Sequence, residues 1–214
     1  MILVKKFLSA LAVLFLISSS ALALSDSDYK ELMKDSSFAD SEKELAEVWT
    51  EAKKLPAKFF EHLQKEQREW VSHGRDERAE SLMKADKTLS RAEAYAQETG
   101  SRVEAINSAI DAASLTPEKL SDGFFIFNDN GKYIELSITL EGGNLTAEFT
   151  GNDGKLIWKS DGKISENVLT LSGEKGSASI TFWNMSYPLV AGDKSLKSNG
   201  VNVDGQYHER VTAF

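Results

Sequence analysis

The 214-residue chain is 41% apolar and 27% charged, carries a net charge of -8 and contains no cysteine. That length admits one or two domains with a real core. The acidity excludes a nucleic-acid binder, which needs a basic footprint, and the missing cysteines exclude disulfides.

Residues 1–23 read as a secretory signal, with Lys5-Lys6, an apolar run over 7–17 and small residues ending in Ala21-Leu22-Ala23. Cleavage is expected before Leu24, which makes the protein periplasmic or secreted. The apolar run is shorter than the ~20 residues a membrane span needs, and no other stretch could span. No cysteine opens the mature chain, so lipid attachment there is excluded. The sequons Asn144-Leu145-Thr146 and Asn184-Met185-Ser186 would matter only in a eukaryotic secretory route.

Composition changes near Leu115-Thr116-Pro117, from Glu, Lys, Ala and Arg to Gly, aromatic and β-branched residues. The expected fold is therefore α+β in two domains: an antiparallel helical bundle over 24–115, a linker over 116–123 and an all-β domain over 124–214. A short helix is expected over 28–34. A second should start at Ser41, with Glu44 completing a capping box, and bury Leu45, Val48, Trp49, Ala52 and Leu55. Pro56 opens a third, with Phe59, Phe60, Leu63, Gln67, Trp70 and Val71 inward, continuing past Gly74. The last runs over 88–113, with Ala92, Ala96, Thr99, Val103, Ile106, Ile110 and Ala113 in heptad-like spacing. That seam suits either a bundle within one chain or a coiled-coil dimer.

The second half alternates with period two, most plainly at Ile134, Leu136, Ile138 and Leu140. Other strands are expected at 124–127, 145–149, 156–158, 168–171, 178–183, 187–190 and 207–211. Turns are expected at 128–131, 142–144, 152–154, 161–162 and 173–176. Such an antiparallel meander avoids exposed edges by closing into a small barrel or sandwich.

Catalytic layouts are scarce. His62 and Glu66, one helical turn apart, are two ligands and not a metal site. There is no His-Glu-x-x-His and no Gly-x-Ser-x-Gly. Asp129-Asn130-Gly131 and Asn152-Asp153-Gly154 lack the alternating oxygens and closing glutamate of a calcium loop and read as hairpin turns. The chain thus reads as a binding protein, not an enzyme, with no cofactor and a preference for basic partners. A small apolar or lipid ligand held by the β domain, suggested by Trp158, Phe182, Trp183 and Tyr187, is one alternative. An assembly role in the cell envelope is another.

Gln67-x-x-Trp70-Val71, then Arg75-Asp76, then Thr99-x-x-Arg102-Val103 resemble the motifs of the LprI-type lysozyme inhibitor family over residues 28–113. The resemblance implies an exported bacterial protein whose compact helical domain occludes a basic lysozyme without covalent chemistry. It marks Gln67, Trp70, Arg75, Asp76, Thr99 and Arg102 as structural or partner-binding residues. Two departures stand out. The family places its arginine four residues after the tryptophan, where this chain has Gly74 and the arginine one position later. It also carries two cysteines, taken as bridged, where this chain has Ala79 and the neighbourhood Ala94-Tyr95-Ala96.

Overall fold

The computed structural model describes residues 24–210, so the expected signal segment and the end of the last expected strand lie outside the described residues. Helix α1 (Asp26–Leu32) opens at Ser25, whose side chain accepts the Asp28 N–H. Helix α2 (Ser36–Ala52) opens at Asp35, which accepts the Ser37 N–H. Side chains at these positions satisfy N–H groups that the first helical turn leaves unpaired. Ser41 does not cap α2; it lies within the helix and donates its hydroxyl to Phe38 O at 2.9 Å.

Pro56 precedes α3 (Ala57–Glu69), which passes into a π turn (Trp70–Gly74) and then α4 (Arg75–Ala85). The expected helix thus does continue past Gly74, but through a widened turn. A capping box stands ahead of α5 (Arg91–Ala112). Ser90 Oγ accepts the Glu93 N–H at 3.2 Å, and Glu93 Oε2 accepts the Ser90 N–H at 2.8 Å. On α5 the buried face differs from the heptad. Thr99, Val103 and Ile106 are buried as expected, but Ala94, Tyr95, Glu98, Arg102, Ala109 and Ala112 join them. Ala92, Ala96, Ile110 and Ala113 are only half-buried. The helix keeps its 3.6-residue period and buries a broad face that includes polar positions.

The expected linker contains a short helix, α6 (Pro117–Leu120), capped by the Thr116 side chain. Eleven strands follow among the described residues: β1 (Gly123–Asp129), β2 (Lys132–Glu141), β3 (Asn144–Gly151), β4 (Leu156–Ser165), β5 (Val168–Gly173), β6 (Gly176–Thr181), β7 (Leu189–Gly192), β8 (Lys197–Ser198), β9 (Val201–Asn202), β10 (Gly205–Gln206) and β11 (His208–Glu209). Nine of them form one antiparallel sheet in the order β10-β7-β6-β5-β4-β3-β2-β1-β11, while β8 and β9 form a separate hairpin. The strands at the two ends of that order, β10 and β11, are separated in the chain by Tyr207 alone, so the sheet is nearly closed on itself.

The interior of this sheet is solid. Leu136, Ile138, Phe149, Leu169, Leu171, Ile180, Phe182 and Tyr207 have no exposed surface, and each such side chain contributes roughly 1.5–3 kcal/mol by leaving water. Phe149 stacks on Trp158 with the ring planes 14° apart. The expected turn at Asp161-Gly162 is instead strand: Gly162 pairs with Leu145 on one side and Leu171 on the other. A Cβ there would lie 2.5 Å from Leu169 Cδ1, so glycine admits a core leucine and makes no turn. The chain reverses later, at Glu166 (φ 54°) and Asn167.

The chain divides into two compact units, one ending at Asn107 and the other beginning at Ser108. That division falls inside α5, ahead of the 116–123 joint read from composition. The reason is visible in the second unit, where Ser108 Oγ donates to Asn184 Oδ1 at 2.8 Å and accepts the Met185 N–H at 3.0 Å.

Candidate functional site

In the helical unit the six residues marked from sequence come from α3, the π turn, α4 and α5, and three of them, Trp70, Arg75 and Thr99, bond to two glutamates that the motifs did not mark. Glu42, on α2, is 8% exposed and Glu98, on α5, is 5% exposed. A buried carboxylate is costly unless its lone pairs find donors. Glu42 Oε1 accepts from Arg75 Nη1 and from Thr99 Oγ1, each at 3.4 Å, and its Oε2 accepts from the Tyr29 hydroxyl at 2.9 Å. Glu98 Oε1 accepts from Trp70 Nε1 at 2.8 Å and from Arg78 Nη1 at 3.3 Å.

A third group joins α3 to α5. Arg102 Nε donates to Gln67 Oε1 at 2.8 Å, and its Nη1 lies 3.4 Å from Glu66 Oε2. Burial pushes the Arg102 guanidinium below its ordinary range, and Glu66 works against that shift. Asp76 stands apart from the two glutamates. Its Oδ1 lies 4.0 Å from Arg75 Nε. Burial pushes its carboxyl above the ordinary carboxylate range, opposed by Arg75 and by a hydrogen bond with Tyr95. The Tyr29 phenol is pushed up, first by burial and then by Glu42.

The π turn sets the geometry. The Arg75 N–H reaches back to Trp70 O, five residues earlier, where an α-helix would reach four. One extra residue is thereby absorbed without rotating α4 away from its neighbours. The Arg75 guanidinium ends 5.2 Å from the centroid of the Trp70 ring, a cation–π distance. One turn further on, Ala79 is fully buried in a cluster that also holds Ala94, Tyr95, Phe38, Tyr29 and Leu32.

Chemically, this arrangement holds helices together. Trp70 Nε1 faces Glu98 and Thr99 Oγ1 faces Glu42, and all four side chains are buried. Among the described residues no group of three His, Cys, Asp or Glu side chains is placed to hold a metal. His62 Nε2 and Glu66 Oε1 form a pair at 3.3 Å. The Asn152-Asp153-Gly154 turn is a turn, closed by the Lys155 N–H donating to Asp153 Oδ1. In the β unit Trp158 and Phe182 are committed to the core, while Trp183 is half-buried and Tyr187 is 46% exposed. The signal that could have found Glu42 is its position: Phe38, Glu42, Leu45 and Ala52 share the stripe that α2 buries.

No family model, curated protein or solved structure matches this chain.

Proposed function

We propose that the chain is an exported bacterial binding protein whose helical unit is a bundle of the LprI-type lysozyme-inhibitor kind, acting by non-covalent occlusion of a basic lysozyme. The observation that carries this is the seat of Arg75 over Trp70. The one-residue departure from the family's spacing coincides with a π turn, which returns the arginine to the place that a four-residue spacing has in an uninterrupted α-helix. Ala79 and the Ala94-Tyr95-Ala96 neighbourhood, which stand where the family has its cysteines, meet in one buried cluster, which supports the same reading. Residues 1–23 would direct export and be removed before Leu24.

Because Trp70, Arg75 and Arg102 are buried, their role in this proposal is to hold the helices, and binding falls to the exposed acidic surface. Lysozymes are usually basic, so encounter would be electrostatically steered and weakened by salt. Cell-wall lysis by animal and bacterial lysozymes, measured with purified protein over a salt series, tests this. Inhibition at low salt that fades as salt rises is the expected result. Unchanged lysis at micromolar protein and low salt overturns the proposal.

A further inference from the structure

The pair Asn-Gly occurs twice in the β unit, at Asn130-Gly131 and Asn199-Gly200, and both asparagines take a left-handed backbone, with φ of 52° and 51°. Glycine puts no side chain in the way of its own amide nitrogen, so that nitrogen can turn onto the Cγ of the asparagine before it. The two turns differ in how readily this happens. Gly131 N–H donates to Asn128 Oδ1 at 3.1 Å, whereas among the described residues Gly200 N–H has no acceptor. Charge differs as well. The peptide oxygen of Asn199 belongs to the same peptide unit as Gly200 N–H, and it accepts from Lys132 Nζ at 3.0 Å. A cation bonded there makes the N–H a better acid and favours the negative charge that grows as the nitrogen attacks. Beside Asn130 stands a carboxylate instead, since Asn130 Nδ2 donates to Asp129 Oδ1 at 2.8 Å, and a negative neighbour opposes the same step.

The attack also requires the turn to leave its hairpin form. Asn130-Gly131 closes the ladder of β1 and β2, which is paired from Gly123 opposite Ile138 to Asp129 opposite Lys132. Asn199-Gly200 joins β8 and β9, of two residues each, in a sheet of their own. A short ladder exposed to solvent opens at less cost than a long one. The Asn199 side chain is held only by Nδ2 donating to Asn152 Oδ1 at 3.3 Å, a long and exposed bond that restrains it weakly. We infer that Asn199 is a site of spontaneous deamidation in the folded protein, and reacts ahead of Asn130. Gly200 N gives its proton to solvent and bonds to Asn199 Cγ, the Cγ–Nδ2 bond breaks, and the side-chain nitrogen leaves as ammonia. Water then opens the resulting imide ring at either carbonyl, which leaves an aspartyl or an isoaspartyl residue. The turn thereby gains a carboxylate next to Lys132. This inference stands on the β unit alone and does not rest on the reading of the helical unit.

The test is incubation of the whole protein at neutral pH, followed by digestion and mass spectrometry that reads the exchange of amide for acid at each asparagine. A parallel incubation in concentrated urea gives the two rates without the fold. The ratio of loss at Asn199 to loss at Asn130 should be higher in the folded protein than in urea by about threefold or more, the scale of one exposed charged contact. Lys132→Met removes the donor and the charge from an exposed side chain and should slow loss at Asn199 by about threefold. Lys132→Arg keeps both and should preserve the parent rate. A ratio no higher in the folded protein than in urea, or an unchanged rate at Asn199 in Lys132→Met, overturns the inference.

Discussion

Arg75 lies over the Trp70 ring although it stands five positions further along the chain, and the π turn is what brings the two together. Deleting Gly74 tests that relationship directly. If the turn only absorbs an inserted residue, the shortened segment becomes continuous α-helix with Arg75 and Ala79 still facing inward. The variant should then fold with a melting temperature within a few degrees of the parent. A wrong assignment of the bulge would rotate α4 by about 100°, expose Ala79 and unfold the unit, which circular dichroism on heating would show.

Glu42 and Glu66 both pair with an arginine, but one pair is buried and the other is not. The side chains of Glu42 and Arg75 are each 9% exposed, whereas Glu66 is 43% exposed. Removing a carboxylate from a buried pair leaves an uncompensated charge, so Glu42→Ala should cost about 3–5 kcal/mol. Glu66→Ala should cost less than that, because the buried Arg102 keeps the Gln67 oxygen as an acceptor. Urea denaturation of the two variants gives the comparison, and equal costs would mean that Arg75 finds another acceptor.

Much of the helical unit was legible in the sequence because apolar spacing and Pro56 announce where helices run and which face is wet. The glutamates were not, since a template that counts apolar residues passes over Glu42 and Glu98 even when they share a buried stripe. The β unit shows the complementary failure. Asn199-Gly200, with φ of 51° and 84°, makes a two-residue hairpin turn between β8 and β9, a strong local signal hidden by flanks too short to alternate. Gly162 looked like a turn because glycine serves two ends, and only the pairing partners reveal that here it makes room for Leu169. The π turn was unreadable for another reason: an extra residue in a helix has no signature until the contacts on both sides of it are known.

Asp76 predicts a pH effect of definite sign. Burial holds its carboxyl above the ordinary value of 3.8 in the folded state, so the native protein keeps that proton after the unfolded chain has released it. Its contribution to stability is present below 3.8 and is lost as pH rises through the folded value. Exposed carboxylates held low by hydrogen bonds, such as Asp35 and Asp86, act in the opposite sense, so the comparison must be made against Asp76→Asn. The parent should lose stability relative to that variant as pH rises from about 3.5 to 6, read by denaturant titration at each pH. A constant difference across that range would show that Asp76 titrates normally.

The closure of the large sheet is testable through Tyr207. It is fully buried, donates its hydroxyl to Val203 O at 3.0 Å and packs against Phe127 and Phe149. Tyr207→Phe should cost about 1 kcal/mol for the lost hydrogen bond, and Tyr207→Ala about 3–5 kcal/mol for the cavity. A chain ending at Asp204 lacks both closing strands and leaves the free edges of β1 and β7 to pair with other copies. Light scattering should then report oligomers where the parent gives one smaller species. A truncated chain that elutes at the parent's mass would mean the edges are protected some other way.

The register that joins Phe125 to Glu209 and Ile126 to His208 also sets an order in time. β1 leaves the ribosome long before its outer neighbour, so its outer edge stays unpaired until residues 205–209 have been synthesised. Pairings so distant in sequence form slowly, while the local helices upstream can form as they emerge. The strand that seals the sheet is therefore a late gate on the maturation of the β unit. A nascent chain stalled before it holds an incomplete sheet, the loosely assembled form that a machinery handling unfolded polypeptide can still take up.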